Sequence, residues 1–280
     1  VFFEMAKPRR RRVLVTGASS GLGRELVRQL VEEHPETIVF ATARRAERLA
    51  ELQAEHPQGR IKVLAGDIGD GCFREALWNW AEAESGGVDL LINNAGIGNY
   101  ADFATQDPAI VADIININVI ALFDLTQLAI RSMRARATGE IVEISSVLGT
   151  FGIPYSAVYC ATKHAVDGMV DSVRYELKGS GVNLWALRPG RFTSEFRQSS
   201  LRGKGSDHAK PGEPVEAIAR GLMKGLGGRQ AFRMPTWLAA VTVALPHWLP
   251  GPFRWGASLF LQRKFAEEAG GAVNPDGSVP

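Results

Sequence analysis

Six short apolar runs, separated by helical stretches, recur along the first 190 residues of this chain. The runs are Val13-Leu14-Val15, Thr37–Thr42, Ile61–Leu64, Val88–Ile92, Glu140–Ile144 and Val182–Leu187. Between them lie amphipathic or charged segments over about 21–33, 46–55, 73–84, 108–133 and 156–178. Strands that are apolar on nearly every residue must be covered on both faces, and helices in alternation with them provide that cover. The pattern predicts an α/β fold: a doubly wound parallel sheet in a single domain, with no linker before about residue 190.

Composition permits such a core. The chain has 280 residues, of which 45% are hydrophobic and 22% charged, the balance of an ordered globular protein and not of a disordered one. Its 30 glycines show no three-residue period, which excludes collagen. A net charge of +2 supplies no large phosphate footprint, so no nucleic-acid partner is expected. Cys72 and Cys160 make neither a disulfide framework nor a metal site, so a reducing, cytoplasmic setting is expected with no metal. No apolar region follows the basic start, so no signal peptide is expected, and Met5 reads as a start after residues 1–4. Charges, prolines or histidines interrupt every 18-residue stretch, so no transmembrane helix is expected; Trp237–Leu249 comes nearest and is interrupted by Pro246 and His247.

The turn after the first strand reads Thr16-Gly17-Ala18-Ser19-Ser20-Gly21-Leu22-Gly23. Gly17 allows a tight turn, Gly21 close backbone approach to a pyrophosphate, and Gly23 close helix–strand packing, with the helix N-terminus facing the anion. This is a variant of the dinucleotide fingerprint. An NAD site places an acid at the end of the second strand to bind the ribose 2′-hydroxyl. Here Ala41-Thr42-Ala43 carries none, and Arg44 can meet a 2′-phosphate instead, which favours NADP over NAD; the alternative is that Arg44 and Arg45 are solvated charges.

Tyr159 and Lys163 stand four apart on one face of a helix. An ammonium beside a phenol lowers the phenol's pKa, and such a tyrosine can exchange a proton with a substrate oxygen. Ser145-Ser146 follows the fifth strand and Asn93-Asn94-Ala95-Gly96 the fourth, at the carboxyl ends where ligands bind in these sheets. Asn116 and Asn118 interrupt an apolar helix, which asks for a reason.

Together Thr16–Gly23, Asn93–Gly96, Ser146, Tyr159 with Lys163, and Pro189-Gly190 resemble the short-chain dehydrogenase/reductase family over about residues 11–195. The resemblance implies a Rossmann fold and hydride transfer between a nicotinamide cofactor and a carbonyl or its alcohol. It selects Ser146 over Ser145, because Tyr159 follows thirteen residues later, and Asn118 over Asn116, because Ala121 and Thr126-Gln127 follow at the family spacing. The implied roles are Tyr159 as proton donor, Ser146 as stabiliser of the substrate oxygen, Lys163 on the nicotinamide ribose and Asn118 as support of a proton relay. Cofactor contacts carried over are Gly17, Ser19, Ser20, Gly21, Leu22, Gly23, Asp67, Ile68, Asn94, Ala95, Gly96, Tyr159, Lys163, Pro189, Gly190, Phe192 and Thr193. Arg191 departs from the apolar residue usual there. The family also implies a homodimer or homotetramer through the two long helices. A cofactor-binding scaffold without turnover and an extended-branch epimerase are the rivals; the filled catalytic positions and the glycine spacing disfavour them.

The division expected is a nucleotide-binding and catalytic domain over 11–230 and an apolar extension over 231–280. Arg191–Gly212 is polar and reads as a lid-like loop, followed by a helix over 214–224. Residues 231–260 are apolar and aromatic, and fit a packed extension, a wall of a lipophilic substrate pocket, or a peripheral membrane contact.

Overall fold

A computed structural model of the chain describes residues 11–192 and 212–248. Seven strands form one parallel sheet: β1 (Arg12–Thr16), β2 (Ile38–Ala43), β3 (Ile61–Ala65), β4 (Leu90–Asn93), β5 (Gly139–Ile144), β6 (Val182–Leu187) and β7 (Phe232–Arg233). Their order is β3-β2-β1-β4-β5-β6-β7. The helices are α1 (Gly21–Glu33), α2 (Ala46–Glu55), α3 (Gly71–Ser85), α4 (Pro108–Ile115), α5 (Leu122–Ala135), α6 (Ala157–Glu176), α7 (Val215–Met223) and α8 (Trp237–Trp248).

The two-residue period of the strands sorts their side chains between two cores. Val13, Val15, Val39, Ala41, Ile92, Val142, Trp185 and Leu187 face one side, where Leu22, Leu26 and Leu30 of α1 and Ile218 and Leu222 of α7 cover them. Leu14, Phe40, Leu91, Ile141, Leu184 and Ala186 face the other, against Leu77 of α3, Leu125 and Ala129 of α5, and Val166 and Val170 of α6. This two-sided burial is what the uninterrupted apolar runs required. β1 pairs with β2 on one edge and β4 on the other. The chain therefore reverses its winding between β1 and β4, and the crevice above their carboxyl ends is the place for a ligand.

Three features depart from the sequence reading. The long helix expected over 108–133 runs from Pro108 to Ala135 but contains a π-helical turn, Asn116–Ala121. That continuous helix is long and apolar enough to cross a membrane by length and composition. Its apolar character is accounted for on one side by Leu122, Leu125, Ala129 and Met133, all buried against the sheet. The sheet also gains β7, too short for any periodicity to reveal, whose Phe232 and Arg233 pair with Ala186 and Leu187. Finally, Trp237–Trp248 is a helix that contains Pro246. Thr193, most of the lid-like loop and residues 249–280 lie outside the described residues.

Candidate active site

The glycine-rich turn leaves β1 and enters α1 against the end of β4. Gly17 has φ +69°, and a Cβ there would sit 2.8 Å from the Ala95 Cα. At Gly23 a Cβ would drive into the Gly17 carbonyl and the Asn94 amide, so both positions exclude a side chain. Helix α1 begins without a side-chain cap and without an acid in its first turn, the condition of an anion site. Asn94 holds this turn together: its Nδ2 donates to the carbonyls of Thr16 (2.9 Å) and Gly17 (3.3 Å). Thr16 Oγ1 returns the connection by accepting from the backbone N–H groups of Asn94 and Ala95, each at 3.0 Å. The sequence alone offers Asn94 and Ala95 as cofactor contacts and gives the Thr16 side chain no role. The structure makes the two elements one clip.

Arg44 is exposed at the end of β2. Its neighbour Arg45 turns toward the phosphate turn, donating to Ser20 Oγ (2.7 Å) and to Ser19 Oγ (3.1 Å). A guanidinium thus stands beside two of the hydroxyls expected at the cofactor. Sequence could not choose between adjacent arginines at a helix start.

The four catalytic candidates converge above β4 and β5. Ser146 follows β5, nearly buried, and its Oγ accepts from the Leu148 N–H at 3.1 Å in a 3₁₀ turn, Val147–Gly149. The Tyr159 phenol hydrogen-bonds with the Ser146 side chain. Lys163 lies one turn further along α6, with Nζ 5.6 Å from the Tyr159 ring centroid, and donates to the Ile144 carbonyl at 2.7 Å. Asn118 is fully buried in the π-helical turn. Its Oδ1 accepts from the Ile97 N–H (2.9 Å), and its Nδ2 donates to the Ile97 carbonyl (2.8 Å) and to Thr162 Oγ1 (3.2 Å). A π-turn is a frequent mark of a functional position, because the inserted residue re-aims a side chain inward. Asn116 serves differently: its Nδ2 donates to the Gly69 carbonyl at 3.1 Å. Both asparagines thus have their reason.

Burial dominates the electrostatics. It pushes the Tyr159 phenol up to about 12, the hydrogen bond from Ser146 acting against it. This is opposite to the lowering expected from the Tyr–Lys spacing, because burial of the phenol outweighs the groups that favour its charged form; the Lys163 ammonium donates to the Ile144 carbonyl. Burial brings Lys163 down to about 8, with Asp167 and Glu143 opposing the change. These two acids were not singled out from the sequence. Asp167 stands one turn along α6 and pairs with Arg188 Nε at 2.9 Å, while Glu143 is fully buried on β5.

The remaining candidates frame the same crevice. Asp67 Oδ1 accepts from the Gly69 N–H (2.8 Å), and the Ile68 carbonyl accepts from Arg74 Nη1 (2.7 Å), which fixes the loop after β3. The Pro189 carbonyl accepts from the Val147 N–H at 3.0 Å, tying the segment after β6 to the Ser146 turn. Phe192 bridges to Glu213, and Gly190 lies against Ala239 of α8. Among the described residues no group of three His, Cys, Asp or Glu side chains is placed to hold a metal ion.

Residues 11–205 match a family model described as short chain dehydrogenase. The chain is 34% identical over 197 residues to a farnesol dehydrogenase of Aedes aegypti, covering 67% of this chain and 80% of that protein. It is 36% identical over 180 residues to the ketoacyl reductase HetN of a Nostoc species, covering 64% of this chain and 62% of that one. A solved short-chain dehydrogenase from Sphingobium yanoikuyae in complex with NADPH superposes with a TM-score of 0.74 at 25% identity, covering 88% of this chain and 94% of that chain.

Proposed function

The chain belongs to the short-chain dehydrogenase/reductase family of NAD(P)-dependent oxidoreductases acting on CH–OH groups, and from that premise we propose that it is an NADP-dependent reductase of lipophilic carbonyl compounds. The observation that carries the reading is the convergence of Asn118, Ser146, Tyr159 and Lys163 beside the phosphate turn.

The uncapped α1 terminus, the Gly17 and Gly23 cradle and the hydroxyls of Ser19 and Ser20 fit a dinucleotide pyrophosphate. Asp67 and Ile68 would take the adenine end, Asn94 to Gly96 the middle, and Pro189, Gly190, Phe192 and Thr193 the carboxamide. Bound there, the nicotinamide cofactor supplies the hydride for a carbonyl carbon. Tyr159, protonated throughout the neutral range, gives its phenolic proton to the carbonyl oxygen. Ser146 donates a hydrogen bond to that oxygen and stabilises the charge growing on it. Lys163 holds the nicotinamide ribose, and its ammonium offsets the phenolate left on Tyr159. Asn118 fixes the Ile97 backbone and the Thr162 hydroxyl, and so the spacing between α4–α5 and α6.

Preference for NADP is supported by Arg44 and Arg45 and by the absence of an acid at Ala41–Ala43. Lipophilic substrates are supported by α8, which packs on the Val147–Gly149 turn directly after Ser146 and carries the apolar Leu238, Ala239 and Val241. The farnesol dehydrogenase relative agrees with that class. Two further contacts belong to the same reading. The outward Ile115 and Ile120 favour pairing of subunits through the long helix α4–α5, together with α6, and the exposed Trp237 favours a peripheral membrane contact. The deciding experiment measures kcat/KM for a panel of ketones with NADPH and with NADH. Higher values with NADPH, and with long-chain or polycyclic ketones than with small sugars, are expected. Equal or NADH-favouring values refute the first half, and a preference for sugars refutes the second.

A further inference from the structure

Below Lys163 the interior holds a carboxyl group to which the reaction assigns no task. Glu143 is wholly buried on the face of β5 covered by α5 and α6. Its Oε1 lies 2.7 Å from Thr126 Oγ1 and 3.3 Å from Asn93 Nδ2. Its Oε2 is buried with no hydrogen-bond partner among the described residues. An ionised carboxylate wants several donors, and a bare anionic oxygen in the core is costly.

The proton count sharpens this. The Thr126 hydroxyl has one proton but two acceptors at 2.7 Å, the Leu122 carbonyl and Glu143 Oε1. When that proton goes to Leu122, the short contact between oxygens is attractive only if the carboxyl carries a proton of its own. When the carboxyl ionises, the threonine can rotate its O–H onto it. The pocket is therefore built for both states. The charged group facing it among the described residues is Lys163 on α6, which in turn faces Asp167, with Arg188 paired to Asp167 at the end of β6; β4 and α5 present the neutral Asn93 and Thr126.

We propose that Glu143 is a positioning residue acting through Lys163: a carboxylic acid that keeps its proton in the resting enzyme and, on ionising at alkaline pH, becomes the counter-ion that keeps Lys163 charged. Lys163 Nζ donates to the carbonyl of Ile144, the residue next to Glu143 on β5; burial raises the Glu143 carboxyl and lowers Lys163, and the charge of each favours the charged form of the other. The released proton passes to bulk water, and Thr126 turns from Leu122 to the carboxylate. The proposal rests on the role given to Lys163 above.

Two measurements test it. Infrared difference spectra of the cofactor-free protein between about pH 6 and about pH 10 should show a protonated-carboxyl band lost on raising the pH and missing from Glu143→Gln. Its absence from the native protein overturns the proposal, whether or not any substrate has been found. In ketone reduction, the alkaline limb of kcat/KM for Glu143→Gln, normalised to its own plateau, should move about one unit to lower pH, because Lys163 loses an anion. A uniform loss with an unmoved limb means a merely structural residue and overturns the proposal. Should the glutamine variant fail to fold, Thr126→Val removes the hydroxyl that stabilises the carboxylate. The infrared band must then persist to higher pH than in the native protein, and an unmoved band refutes the assignment.

Discussion

Replacing Thr16 by valine would isolate the clip between the phosphate turn and β4. Thr16 is 1% exposed, and valine reproduces its branched shape while removing one acceptor. Two backbone donors, the N–H groups of Asn94 and Ala95, lose their partner together. An unsatisfied buried donor costs about 1–3 kcal/mol, and because these are partly buried the lower part of the range applies, giving about 2–4 kcal/mol for the pair. Urea unfolding at fixed protein concentration reads that loss as a fall in the extrapolated free energy. The loosened Asn94–Gly96 segment should also raise KM for the cofactor more than it lowers kcat. Thr16→Ser keeps the oxygen and should lose only about 1 kcal/mol, the contribution of one methyl group. A valine variant within about 0.5 kcal/mol of the native protein, or a serine variant weaker than the valine one, would refute the argument.

Other outcomes follow from the same geometry. Tyr159→Phe should lower kcat by about 10²–10⁴-fold while leaving NADPH affinity, read by fluorescence titration, nearly unchanged. Arg44→Ala and Arg45→Ala should each raise KM for NADPH about tenfold or more and hardly affect NADH; equal effects on both cofactors would remove them from the 2′-phosphate. Lys163 sits at about 8 in the folded chain, below its unfolded value, so the unfolded state binds more protons between those values. Stability should therefore rise with pH in that window, and Lys163→Met should flatten the rise; a variant with the native slope would contradict it. Asp167→Asn strands the Arg188 guanidinium, which should cost about 3–5 kcal/mol in urea unfolding.

Much of the framework was readable in one dimension because it depends on neighbours along the chain. The boundaries of α1, α2 and β6 follow directly from periodicity and from Gly21 and the turn residues around them. The order of Ser146, Tyr159 and Lys163 was equally legible, since strand ends and one helical turn bring them together. What escaped depends on partners distant in sequence. Thr16 looked like a motif residue, but its hydroxyl serves backbone 78 positions away. Glu143 sat in an apolar run as an anomaly whose meaning needs Thr126 and Asn93 from other elements. The π-turn left a trace, two asparagines in an apolar helix, yet periodicity cannot register one inserted residue. The direction of the Tyr159 shift is not legible in the spacing, which reports proximity to Lys163 but not how deeply the phenol is buried.

The place of β1 also governs how the chain must be assembled. It is made first, yet it ends in the middle of the sheet, with β2 and β3 filling one side before β4 reaches the other. While the chain emerges from the ribosome, the N-terminal half has its glycine-rich turn but not the strand that secures it. The Asn94 amide that ties down this turn, through the Thr16 and Gly17 carbonyls, therefore arrives only with β4. A chain cut after Ser85 would carry the fingerprint of a dinucleotide site without the site itself.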